Sequence, residues 1–231
     1  TDLHLHIESG TNPTMAFAIA KRNGIQPGTD VWPWKTEADL VDALNFKDLG
    51  SFLKIFYAVS AALQKPQDFV DQATNVVNTL RTNNVVHSEI FFDPQTFTSR
   101  GISFKTVADG FNTGLDTGRT NGMSLRLIMS VLRDSPVGTR DNGVKCTVSW
   151  TDMSGSTGWN AVVQAVDYNN SLKTRTDISD DQKINWTLIG IGLDSNERDY
   201  KPEIFSDIYA YAGENGLFRT AHCGEEGPAE Y

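Results

Sequence analysis

The chain has 231 residues, with 20 Lys+Arg against 29 Asp+Glu, a formal net charge of −9, and 39% apolar and 21% charged residues. That mix fills one sizeable core, in one or two domains or a single large α/β barrel, and excludes disorder as the main state. No run of ~20 apolar residues offers a membrane span, and an acidic balance argues against general nucleic-acid binding, which needs clustered Lys/Arg.

In chain order, residues 3–7 alternate as a short strand. Residues 14–23 read as a helix closed by Gly24, and 26–34 as a Pro/Gly-bearing loop whose Trp32 and Trp34 serve loop packing rather than a binding cage. Helical periods return over 37–44, 51–63 and 69–83, the last with Phe69, Ala73, Val76, Val77 and Leu80 on one face. Residues 85–92 are β-branched and aromatic and read as a strand. Helix 104–119, strand 125–132, helix 160–173, strand 186–193, helix 204–215 and strand 218–223 follow. Strands alternating with helices predict parallel βαβ units, and the near-continuous apolar strands at 85–92 and 186–193 predict a sheet covered on both faces. Residues 136–158 carry no period and read as a surface insertion.

Four histidines are available. His4 and His6 lie two apart on the first strand, so both imidazoles project from one face. His222 closes the fifth strand, with Glu225 three residues on. In a parallel barrel the C-terminal strand ends share one face, where catalytic residues collect. A three-histidine metal site with Glu225 beside it as acid or base is one reading. A histidine pair on a wet strand face is the other. His87, mid-strand, reads as a core histidine with a satisfied hydrogen bond. Cys223 adjoins His222 and is expected to point toward the helix layer as a small buried residue. Cys146 has no nameable role. Two cysteines make no disulfide framework, so a reducing, cytoplasmic setting is expected, or the nucleus as well in a eukaryote. Residues 1–10 do not read as a signal peptide. P-loop and G-x-G-x-x-G motifs are absent.

The longer motifs carry a resemblance. Asp2-Leu3-His4-Leu5-His6-Ile7-Glu8, the stretch PTMAFAIAKRNGI from Pro13, DLGSFLKIFYA from Asp48, VVHSEIFFDPQTFTSRG from Val85, GIGLDSNE from Gly190 and TAHCGEEGPAEY from Thr220 resemble the adenosine/adenine deaminase family of zinc hydrolases. The stretch from Val85 is most similar to the adenine branch. The resemblance implies a metal-dependent hydrolase (β/α)8 barrel, of which this chain holds about five strands as one partial domain over residues 1–231. It implies zinc on His4, His6 and His222, with Glu225 as the acid that protonates the purine ring. Glu8, Asp194 and Ser195 are implied to contact the substrate, a small purine. The implied reaction is hydrolysis of adenine to hypoxanthine and ammonia. Adenosine deamination, a non-catalytic metal- or purine-binding relic and a zinc hydrolase of another ring substrate are the alternatives.

Four departures from the pattern stand out. Ser9 replaces the family's Gly, Phe97 its His, and Asp134 the His of an Arg-His pair. The family's later histidine and Asp-Asp pair, the first Asp a zinc ligand, have no counterpart here. The chain is therefore expected to be part of a longer enzyme, and to be poorly soluble and inactive as an isolated polypeptide.

Overall fold

The computed structural model describes residues 1–138 and 157–228. Strand β1 (Asp2–His6) runs into a 3₁₀ turn at Ile7–Gly10. Four helices precede the second strand: α1 (Pro13–Arg22), α2 (Glu37–Ala43), α3 (Leu49–Ser60) and α4 (Pro66–Thr82). Each starts where local chemistry dictates. The Asn12 side chain accepts the Met15 N–H ahead of Pro13. Thr36 with Asp39, and Asp48 with Ser51, form reciprocal caps that satisfy otherwise orphaned N–H groups. Strand β2 (His87–Phe92), a short α5 (Gln95–Thr98), α6 (Phe104–Arg119) and β3 (Ser124–Leu132) come next. The described chain closes with α7 (Gly158–Leu172), α8 (Asp180–Trp186), β4 (Gly190–Asp194), α9 (Ser206–Glu214) and β5 (Phe218–Arg219).

The five strands form one sheet in the order β1-β2-β3-β4-β5, every neighbouring pair parallel. This is the expected run of parallel βα units. Pairing is in step from β2 to β5, while β1 shifts register between Asp2 and Leu5. One face of the sheet packs on α4, α6, α7 and α9. Ile90, Phe92, Leu125, Leu127, Met129, Val131, Ile191 and Leu193 join the helices there in one apolar cluster. The alternate residues face the concave side. A second, smaller cluster joins Ala16, Ile19, Ala20, Trp32, Trp34, Leu40 and Ala62. Trp32 and Trp34 stack edge to face at 5.1 Å inside it, as loop packing.

Several elements differ from expectation. Residues 186–189 are not part of the regular strand. Ser179 and Gln182 cap each other, so a helix runs to Trp186, whose indole N–H donates to Asp116 at 3.0 Å. The regular part of β5 is two residues long, yet Thr220 N–H and His222 N–H still donate to Ile191 and Leu193 carbonyls at 3.0 and 2.9 Å. The chain therefore stays alongside β4 as far as His222. Cys223 is exposed rather than buried. His87 makes its hydrogen bond, Nδ1 to Ser124 Oγ at 2.9 Å, but lies half-exposed at the start of β2 rather than in the core. Most of the expected insertion, with Cys146, lies outside the described residues. At its far edge Gly158 already belongs to α7. Among the described residues no helix is long and apolar enough to cross a membrane.

Helices α4 and α6 meet along a stripe of Gly110, Gly114 and Gly118, four residues apart on one face. A Cβ on Gly114 would stand 2.5 Å from the Val70 carbonyl oxygen and 2.6 Å from Ala73 Cβ. Alanine gains up to ~1 kcal/mol of helix propensity over glycine, but overpacking against a backbone oxygen costs about 1–3 kcal/mol. We expect the clash to win. Gly114→Ala should lower unfolding free energy by about 1–2 kcal/mol, read as a lower urea midpoint at unchanged slope.

Candidate active site

Strands β1 and β5 stand at opposite ends of the sheet order, yet their histidines touch. His4 Nε2 lies 2.7 Å and His6 Nε2 3.0 Å from His222 Nε2. The sheet therefore rolls round a barrel axis far enough to bring first and fifth strands face to face. All three rings pack round Phe91 of β2, with centroid distances of 5.3–5.7 Å.

The tautomer of His222 follows from its neighbours. Its Nδ1 faces the Leu193 carbonyl oxygen at 3.0 Å, an acceptor only, so Nδ1 carries the proton and Nε2 presents a lone pair. Its backbone carbonyl is held at 2.5 Å by the guanidinium of Arg133, which is itself buried. Burial, then the neighbouring imidazoles of His6 and His4, pushes His222 down to about 4. Burial also lowers His6, against the pull of Asp93. Both are neutral near pH 7, the form that binds metals.

Three carboxylates sit beneath the imidazoles. Asp194 Oδ2 and Asp93 Oδ1 lie 3.6 and 4.0 Å from His6 Nδ1. Glu8 is buried, and its Oε1 accepts the Asp93 N–H at 2.8 Å while Oε2 meets no hydrogen-bond partner among the described residues. Burial first, then the charge of Asp93, raises both Glu8 and Asp194 well above the usual carboxylate range.

These groups form the floor of a cavity of about 330 Å³. Of the expected site residues, His4, His6, His222, Asp194, Ser195 and Glu225 all line it. Glu8 does not, lying one layer deeper against Asp93. The roof is α3, whose apolar residues are only partly buried because Leu49, Phe52, Leu53 and Phe56 turn to the cavity instead of the core. Tyr57 on the same helix reaches across, with its hydroxyl 3.1 Å from Ser195 Oγ.

Within the described residues, two sets of metal-ligating groups lie close enough to share one ion: His4, His6 and His222, and His6, Glu8 and Asp93. Two nitrogens each ~2.0–2.1 Å from one ion are at most ~4 Å apart, and the measured Nε2 separations from His222 satisfy that. The donors fit a divalent cation.

The family model for adenosine deaminase matches residues 1–153. The chain belongs to the adenosine deaminase family. Curated adenine deaminases from Geotalea uraniireducens and Chlorobium phaeobacteroides are 38% and 37% identical over all of this chain, which covers 54% and 57% of them. The crystal structure of adenine deaminase from Arthrobacter aurescens superposes with a TM-score of 0.77 at 34% identity, over 100% of this chain and 59% of that one. An amidohydrolase from Burkholderia ambifaria, solved with bound Zn, shares the fold at a TM-score of 0.67 and 22% identity, over 97% of this chain and 51% of that one. The chain spans about half the length of the curated relatives it matches.

The departures from the deaminase pattern fall into place. Phe97 is fully buried between Phe69 and Phe111, packed edge to face on both, outside the cavity lining. Asp134 is exposed and lines an adjoining groove with Lys54 and Arg198. Ser9 lines the cavity, and its hydroxyl donates to the His6 carbonyl at 2.6 Å. Sequence reading passed over Asp93, Tyr57, Arg133 and Glu197 as site residues. Asp93 had a signal, an acid directly after a strand end. Tyr57 had one too, lying in the stretch DLGSFLKIFYA that carries part of the resemblance.

In metal analysis we expect one divalent ion per chain. His4→Ala and His222→Ala should each weaken binding by at least ~100-fold, and unchanged metal content in both variants would move the site elsewhere.

Proposed function

We propose that the protein is a zinc-dependent aminohydrolase that converts adenine and water to hypoxanthine and ammonia, with the 231 residues forming one unit of its barrel. The observation that carries this reading is the meeting of three imidazoles and Glu225 on one small cavity. The adenine deaminase relatives and the zinc in a structural neighbour support it. A cytoplasmic location follows from the cysteine usage.

His4, His6 and His222 would hold the zinc, which when bound acts as a Lewis acid that makes water nucleophilic near neutral pH. Arg133 and Leu193 keep His222 oriented, and the carboxylates of Asp93 and Asp194 back His6. Glu225 delivers a proton to the ring nitrogen beside the amino-bearing carbon, which makes that carbon electrophilic. Asp194 and Ser195 contact the purine edge from the rim of β4. Glu8 acts from the layer below, setting the position of Asp93. Phe52 and Phe56 cover the ring and exclude water. The stretch from Val85, which is most similar to the adenine branch, favours the free base over adenosine.

The test is turnover of adenine against adenosine by the metal-loaded full-length protein, followed as ammonia release. Adenine should be preferred, and a strong preference for adenosine would overturn the substrate. Glu225→Gln should lower kcat by ~10²–10⁴ with metal content unchanged. Full activity in that variant would remove Glu225 from the chemistry.

A further inference from the structure

One buried carboxylate beside the cavity has no part in the chemistry above. Glu197 follows β4 by three residues and is 1% exposed. Its Oε1 accepts the Gly224 N–H at 2.7 Å, and its Oε2 accepts those of Glu226 and Gly227 at 2.8 and 2.9 Å. A single side chain thus gathers the backbone on both sides of Glu225. These are charge-assisted bonds to an ionised acceptor, short and strong for their class. Two backbone features make the arrangement reachable. Ser195 has φ of +72°, turning the chain sharply as it leaves β4, and Gly224 has φ of +75°, turning the second loop at the point where it meets the carboxylate.

Among the described residues, the loop after His222 has few other anchors. Residues 223–228 lie outside regular secondary structure, and Glu225 is exposed. The side-chain ion pair of Arg198 with Glu226, at 3.3 Å, has its arginine largely in solvent and contributes little. The position of Glu225 over the imidazoles is therefore transmitted through its backbone.

We propose that Glu197 is a positioning residue for Glu225, clamping the loop from below so that the acid is held at the cavity. The proposal rests on the aminohydrolase reading for the role of Glu225, but the clamp itself is a statement about the loop. Displacing a reacting group by ~1 Å costs on the order of 10²-fold in rate.

The test compares Glu197→Gln and Glu197→Asp with wild type in the full-length, metal-loaded protein. The readouts are kcat, KM, metal content and amide hydrogen exchange over residues 222–228. Gln turns an N–H donor toward N–H groups, and Asp keeps the charge on a stem one methylene shorter. For Gln we expect kcat to fall ~10²-fold, with KM within ~3-fold, one metal per chain and faster exchange across the loop. Asp should fall less. Unchanged kcat or unchanged exchange in a folded variant overturns the proposal, as does a loss of rate that tracks lost metal. If Gln fails to fold, Asp is judged by the same criteria. If neither folds, Glu197 supports the fold rather than the acid, and the proposal fails. A wild-type protein that does not turn over adenine sinks the functional reading instead, and loop exchange then judges the clamp by itself.

Discussion

His222 Nε2 lies 2.7 Å from His4 Nε2 and 3.0 Å from His6 Nε2, so one ring nitrogen faces two others at close range. The His222 tautomer aims a lone pair at its partners, and lone pairs brought together repel unless a cation or a shared proton lies between them. Everything nearby serves that meeting. Strands from opposite ends of the sheet order must curl far enough to touch, and the concave face must hold little else. Gly192 shows how the space is made. A Cβ there would stand 2.7 Å from Ser130 Oγ and 2.9 Å from the Phe91 ring. Phe91 can stack on His6 and meet His4 and His222 edge-on because Gly192, two strands away, carries no side chain.

The buried acids are the other half of the electrostatics. Glu8, Asp93 and Asp194 crowd one layer below the histidines, where charged carboxylates are costly without partners. A positive charge held by the imidazoles would favour the ionised forms of Glu8 and Asp194. The lowering of His6 and His222 and the raising of Glu8 and Asp194 thus share one main cause, burial around the same cavity. The chain belongs to the adenosine deaminase family and carries about half the length of its curated relatives.

Much of this was legible from residue order. Period-2 and period-3.6 segments located five strands and most helices, and the spacing of His4 and His6 put them on one face despite the register shift in β1. Positions decided by tertiary packing were not legible. Trp186 sits in an apolar run that reads as strand, but a cap at Ser179 and an acceptor at Asp116 hold it at a helix end. Cys223 was expected inward by strand alternation, but the bonding alongside β4 ends at His222 and the chain turns away at Gly224, leaving Cys223 exposed. Glu8, implied by the resemblance to contact the substrate, lies one layer below the cavity, because the 3₁₀ turn after β1 folds it against Asp93. Arg133 and Glu197 act on backbone atoms far along the chain, and no local pattern announces such partners.

The junction between β3 and α7 has a consequence for how this fold can change. Gly158 N–H donates to the Pro136 carbonyl at 2.9 Å, and Trp159 N–H to that of Val137 at 2.8 Å. The chain just after β3 and the start of α7 are therefore stitched to each other directly, main chain to main chain. Substitutions of the side chains around this junction leave those bonds in place, so α7 keeps its dock behind β3 while its surroundings change.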